Sequence, residues 1–241
     1  MRNVALIMRR ELAAWVRGPA GYLVGAVFLF IDGLIFSAWA VGDQPQLSAE
    51  VLLRFFHASG LTTMGMGVML SMRMLAEDRS LGTQTLLFTS PVREGEIVLG
   101  KYLAGVIVIT VLTLLSFYLP ALVLVHGKIS WGHIAAGYLG LVMLGATTLA
   151  IGTFASSFVP HPFFAVLLAA VLVGVLEFSF EIAMVSDPPL QELIAYLPPW
   201  RRHALPFARG LFQLSDVVYF VSVIYFSLLG ATRVLQSQRW R

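Results

Sequence analysis

An all-helical, polytopic membrane protein is the fold class this sequence predicts, and three observations predict it. Of 241 residues, 58% are hydrophobic and 12% charged, against about 45–50% and about 25% in soluble domains. The apolar residues gather in blocks close to the roughly twenty needed to cross a hydrocarbon core about 30 Å thick. Within each block they run on instead of alternating at period two, which selects helices over a β-barrel.

Residues 1–17 mix apolar Val4, Leu6, Ile7, Leu12, Trp15 and Val16 with Arg9, Arg10, Glu11 and Arg17, the pattern of a helix lying in the headgroup plane. Gly18-Pro19 then turns the chain into the bilayer. Span one covers about 21–40. It is longer than the apolar region of a signal peptide and follows about twenty other residues, so Arg9-Arg10 and Ala38-Trp39-Ala40 are read as parts of a retained segment rather than targeting signals. The polar stretch 42–50 is the first loop, span two covers about 55–75, and residues 76–96 form the most polar segment. Span three, about 97–125, is long enough to cross the bilayer and overhang it, with a kink expected at Pro120. Spans four and five, about 133–158 and 163–185, are joined by the tight turn Val159-Pro160-His161-Pro162. The segment 186–213, broken by Pro188, Pro189, Pro198, Pro199 and Pro206, is expected to form short external helices before span six at about 214–235.

Six spans make one transmembrane domain with both ends on one side. Eleven basic residues flank that side (Arg2, Arg9, Arg10, Arg17, Arg73, Arg79, Arg93, Lys101, Arg233, Arg239 and Arg241) and five flank the other (Arg54, Lys128, Arg201, Arg202 and Arg209). The bias predicts cytoplasmic termini and a cytoplasmic 76–96 loop, in a plasma or bacterial inner membrane.

Composition also excludes functions. The chain has no cysteine, so disulfides, thiolate metal sites and cysteine nucleophiles are ruled out. A net charge of +3 scattered between apolar blocks offers no basic face for nucleic acid. Five well-separated histidines and no hydrolase or zinc motif give no expectation of catalytic residues, metal or cofactor in this chain. Gly95 to Lys101 nearly matches a phosphate-binding loop, but Tyr102 replaces the small hydroxyl that holds Mg²⁺, no strand precedes it, and the segment continues as a membrane helix. The spans and their connections use the whole sequence, so any ATPase is expected to be another polypeptide.

The loop after span two reads Glu77-Asp78-Arg79-Ser80-Leu81-Gly82-Thr83-Gln84-Thr85-Leu86-Leu87-Phe88-Thr89-Ser90-Pro91-Val92-Arg93. Leu86, Leu87 and Phe88 are apolar side chains held at the membrane surface between flexible Gly82 and Pro91. Ser90 suits a helix N-cap and Pro91 the first helical position. A short amphipathic helix here is a knob that a soluble partner grips in a groove, and moving it would tilt spans two and three together. On pattern alone, a segment floating on the lipid surface fits as well.

This stretch, with Glu77-Asp78 supplying the acids and Gly82, Thr83, Leu86, Leu87, Pro91, Val92 and the Ile97-to-Lys101 run after them, resembles the signature of type-2 ABC exporter permeases. The resemblance extends over nearly the whole chain and is nearest to the gliding-motility (GldF-like) branch. Arg9-Arg10-Glu11-Leu12 is similar to its amphipathic opening, Ala150 to Ser157 to its fourth span, and Phe207-Ala208-Arg209-Gly210 with Asp216 and Tyr219-Phe220 to its C-terminal third. The resemblance implies a dimeric transmembrane unit, formed with a second copy or a related permease, and driven by a cytoplasmic ABC ATPase dimer that binds the ATP and Mg²⁺. It implies an interfacial elbow helix at 1–17 and a coupling helix between spans two and three. The coupling residues are then Glu77, Asp78, Arg79, Gly82, Thr83, Leu86, Leu87, Phe88 and Pro91, with Lys101 and Arg73 anchoring their spans at the inner headgroups. An auxiliary membrane protein often accompanies this branch. The function expected is the permease subunit of an ATP-driven exporter. A structural or mechanotransmission subunit of an envelope or gliding-motility complex is the alternative, and an intramembrane enzyme, a third reading, has no motif behind it.

Asp32 in span one and the Glu177/Glu181 pair in span five are costly in hydrocarbon, about 2.5–3.5 kcal/mol for a charged residue such as Asp. Glu177 and Glu181 are four apart and share a helix face. Either these three line a transport pathway or they form hydrogen bonds between helices. Met64, Met66, Met69, Met72 and Met74 crowd span two without sharing one face, which favours flexible packing over a copper path.

Overall fold

The computed structural model describes residues 2–41, 47–82, 92–126 and 130–239, and every regular element among them is helical. Helix α1 (Arg2–Arg17) bends at Gly18 into α2 (Pro19–Ile35), which ends in a wide π-helical turn, Phe36–Val41. Then come α3 (Ser48–Ser71), the short α4 (Ala76–Ser80), α5 (Glu94–Leu115), α6 (Tyr118–His126), α7 (Trp131–Ser156) and α8 (Pro162–Val185). The chain closes with α9 (Leu190–Ala195), a second π-helical turn at Pro199–Ala204, α10 (Leu205–Ala208) and α11 (Leu214–Arg239).

Local chemistry explains the boundaries. Pro19 and Pro162 open α2 and α8, where a missing N–H costs nothing and the fixed φ already suits a helix. Ser130 caps α7 by accepting from the Gly132 N–H at 3.3 Å. The kink expected at Pro120 is a full break at Ser116–Phe117, because the proline ring crowds the carbonyl four residues back.

Five helical stretches are long and apolar enough to cross a membrane: Gly21–Trp39, Glu94–Leu124, Trp131–Ser156, Pro162–Val185 and Leu214–Gln238. Helix α3 is equally long at 24 residues but carries Glu50, Arg54 and His57. Protein rather than lipid covers much of it, with Leu52, Phe55, Phe56 and Leu70 buried, so its polar residues meet partners.

Helix α7 is the axis of the bundle, buried along most of its length. On one side Leu149 and Ala150 join Trp15, Met66, Leu70, Met74, Tyr102 and Ile109. On another, Leu144 and Ile151 join Met64, Val68, Trp200, Phe207 and Phe220. Met69 instead faces outward, so the span-two methionines serve several surfaces. Lipid tails are as apolar as leucine, so shape decides which helices meet. Gly21 and Gly25 illustrate this: a Cβ at Gly21 would lie 2.1 Å from the Trp15 carbonyl oxygen, and one at Gly25 3.0 Å from Leu112. Their spacing admits α1 and α5 of the same chain. The outer faces of α2, α8 and α11 expose Leu23, Phe30, Phe163, Leu167, Phe178, Val218 and Phe226, a surface that hydrocarbon satisfies and water does not.

The start of α1 and the end of α11 lie at one end. Asn3 Nδ2 donates to Glu96 Oε2 at 3.1 Å, and Arg79 donates to Gln238 Oε1 at 2.6 Å, so α1, α4, the start of α5 and the end of α11 meet there. At the opposite end the segment after α8 dips into the bundle instead of merely bridging two helices. Trp200, His203, Phe207 and Ala208 are buried, and Trp200 fills a notch over Gly60, where a Cβ would lie 2.3 Å from the indole. His203 fixes the segment, with Nδ1 at 2.8 Å from Asp216 Oδ1, Nε2 at 3.0 Å from the Tyr196 carbonyl, and its ring stacked on Tyr219 at 3.7 Å.

Candidate coupling site

The five residues of α4 form the most densely cross-linked polar cluster in the described structure. The helix has no side-chain cap of its own. Its first turn is capped from across the bundle, where Ser156 Oγ at the end of α7 accepts from the Leu75 N–H at 3.1 Å and the Ala76 N–H at 2.9 Å. The three charged residues that follow each have a different set of partners, while Ser80 donates to the Glu77 carbonyl within the helix.

Glu77 accepts from Arg73 Nε at 3.0 Å, and the Arg73 guanidinium lies 4.6 Å over the Trp15 ring of α1. Asp78 lies 2.9 Å from Lys101 Nζ on α5, and the same ammonium lies 3.2 Å from Glu11 on α1. Arg79 donates to the Ser157 carbonyl at 2.7 Å and to Gln238 of α11 at 2.6 Å. Gly82 ends the described part of the loop with φ +70°, a left-handed conformation that L side chains rarely adopt. The remaining predicted coupling residues, Thr83, Leu86, Leu87, Phe88 and Pro91, lie outside the described residues, as does the Ser90-Pro91 helix start.

The electrostatics favour a fixed assembly. Lys101 is 3% exposed and sits between two carboxylates, so its position as a headgroup anchor is corrected: it is an internal bolt joining α1, α4 and α5. Arg73 is likewise engaged inside the protein, by Trp15 and Glu77. Burial alone would raise the Glu11 pKa, but Lys101 and Arg10 outweigh it and hold this carboxyl below its ordinary range. Burial lowers the Arg79 pKa, and the guanidinium stays charged with carbonyl and amide oxygens as partners. Short polar contacts thus tie α4 to α5, to the C-terminal end of α7 and to α11, and through Lys101 to α1. Next to Lys101, Tyr102 is buried with its hydroxyl donating to the Ala146 carbonyl at 3.1 Å.

The three membrane acids lie elsewhere and apart. Asp32 is buried in α2, and its Oδ1 accepts from Ser59 at 2.8 Å and Thr62 at 3.1 Å. Glu177 accepts the Trp200 N–H at 2.7 Å, and Glu181 pairs with Arg201 at 2.6 Å, so both hold the dipping segment against α8.

A family model described as ABC-2 family transporter protein matches residues 6–202, from α1 to the second π-helical turn. The chain belongs to this family. It is therefore a multi-pass membrane protein and the permease component of an ABC transporter, a class that associates with an ABC ATPase. No curated protein matches the sequence. In this ABC-2 family permease, sequence reasoning missed Ser156, Gln238, Glu11 and the His203–Asp216 pair. Lys101 alone offered a signal: a lysine among Val98, Leu99, Tyr102 and Leu103 requires a counter-charge, and Glu11 and Asp78 supply it from the same end.

Proposed function

We propose that this chain is the membrane half of an ATP-driven exporter in which a separate cytoplasmic ATPase dimer pushes on the loop carrying Leu86, Leu87 and Phe88. The observation that supports this is the clamp around α4, in which Lys101 joins Asp78 to Glu11 and Arg79 joins the loop to α11. A loop so tied delivers a push to several helices at once, whereas a loop floating on lipid has no need of buried ion pairs. In this reading α3 is a sixth span, α1 is the elbow, and the basic bias places the clamp and both termini in the cytoplasm of a bacterial inner or plasma membrane. Two permeases, identical or related, pair over the ATPase dimer, and the chain is read as similar to the GldF-like branch, with its auxiliary membrane protein. Asp32, Glu177 and Glu181 remain the proposed pathway acids.

The test is co-purification of the chain with its ATPase in lipid nanodiscs. Wild type should show ATPase activity that responds to the permease, and Leu87→Asp should abolish that response without changing permease melting. Unchanged stimulation in Leu87→Asp contradicts the reading. A mechanotransmission role is favoured by one observation, the engagement of Glu177 and Glu181 within the chain itself. Transport into sealed vesicles containing the complex separates the two, since only an exporter accumulates cargo.

A further inference from the structure

A second feature lies beside the clamp, on the flank of α1 that carries Leu12, Trp15 and Val16. Between α1, α2 and α5 is an open groove of about 550 Å³, walled by Leu12, Val16, Tyr22, Ala26, Val108 and Leu112 among others and almost wholly apolar. It follows residues 21–29 of α2 and 107–115 of α5, about 12 Å at helical rise, close to the roughly 15 Å depth of one leaflet's hydrocarbon. Its upper wall is the elbow helix. Arg9 stands on the same stripe as Leu12 and Val16, one and two turns away, and Arg17 closes the helix beside Val16. Both arginines are exposed, and neither makes an ion pair or hydrogen bond among the described residues, in contrast to Arg10 and Arg73.

We infer that this groove is a binding site for an anionic phospholipid, whose acyl chain lies along α2 and α5 while its phosphate meets Arg9 and Arg17. Two unpaired cations above an apolar channel of leaflet depth complement such a lipid in both charge and shape. A second copy of the chain fits less well: a two-fold contact centred on the groove brings the same arginines of both copies together. A bound lipid would hold α1 against α5 beside Trp15, which also lies under the Arg73 guanidinium.

The test uses the full chain in nanodiscs of mixed phosphatidylglycerol and phosphatidylcholine, released into native mass spectrometry. Wild type should retain phosphatidylglycerol over phosphatidylcholine by about tenfold. Arg9→Gln with Arg17→Gln should remove that preference, Arg9→Lys with Arg17→Lys should keep it, and Ala26→Trp, which fills an exposed part of the groove, should reduce retention of both lipids. Wild-type-like melting of each variant shows that it folds. Equal retention of the two lipids by wild type, or unchanged retention in both the glutamine and tryptophan variants, overturns the site. So does efficient disulfide cross-linking between copies through Ala26→Cys, a clean probe in a chain without cysteine.

Discussion

The Lys101 ammonium lies 2.9 Å from the Asp78 carboxylate, joining α4 to α5. The same nitrogen reaches Glu11 at 3.2 Å, so one buried cation serves two acids from two helices. Lys101→Met should take the shared buried cation away from both carboxylates and destabilise the permease by about 3–5 kcal/mol. Adding Glu11→Gln and Asp78→Asn should recover most of that loss, because no uncompensated charge then remains. Thermal melting in detergent checks both, and a triple variant no more stable than Lys101→Met contradicts the ion-pair account.

Acid should loosen the same contact. Glu11 is held below its ordinary value of 4.5 in the folded chain, so its contribution is fully present above that value and is lost as pH falls through the folded one. Melting temperature should stay flat with respect to this group from neutral pH to about 5 and fall below about 4.5. Glu11→Gln should flatten part of the acid limb, as pH-dependent melting of the two proteins would show.

Gly60 is the socket for Trp200. A methyl group there meets the indole at 2.3 Å, so Gly60→Ala should cost about 1–3 kcal/mol through overpacking. Combining it with Trp200→Phe should cost less than the sum of the two single changes, since the smaller ring vacates the clash. A strictly additive cycle in melting experiments would place the Trp200 ring elsewhere.

His203 and Asp216 latch the dipping segment to α11. His203→Ala leaves a buried carboxylate without its imidazole, with an expected loss of about 3 kcal/mol, while His203→Ala with Asp216→Ala should lose less than His203→Ala alone. Limited proteolysis between α8 and α11 should accelerate in the single variant.

Much of this fold was legible because membranes impose simple rules. The apolar blocks located the long helices, and Pro19, Pro162 and Pro120 marked starts and a break through their missing N–H groups. The acids of α4 were picked out as coupling residues from their place in the family signature, but their partners were not legible. Lys101 reads as one more basic residue near a membrane surface, and only the fold brings Glu11 to it. Burial of the segment around Trp200 was hidden for a similar reason: nothing near Trp200 in sequence points to Gly60, and proline-rich composition alone reads as a surface connection.

The central claim, that an external motor grips the loop next to this clamp, is tested most directly by photo-cross-linking in living cells from residues 86, 87 and 88. The prediction is capture of an ABC ATPase, identified by mass spectrometry through its own nucleotide-binding motifs, with capture lost when Leu87 is changed to Asp and the photoprobe is kept at 86. Cross-links that reach only lipid or this same chain, in cells where the ATPase is present, would contradict it.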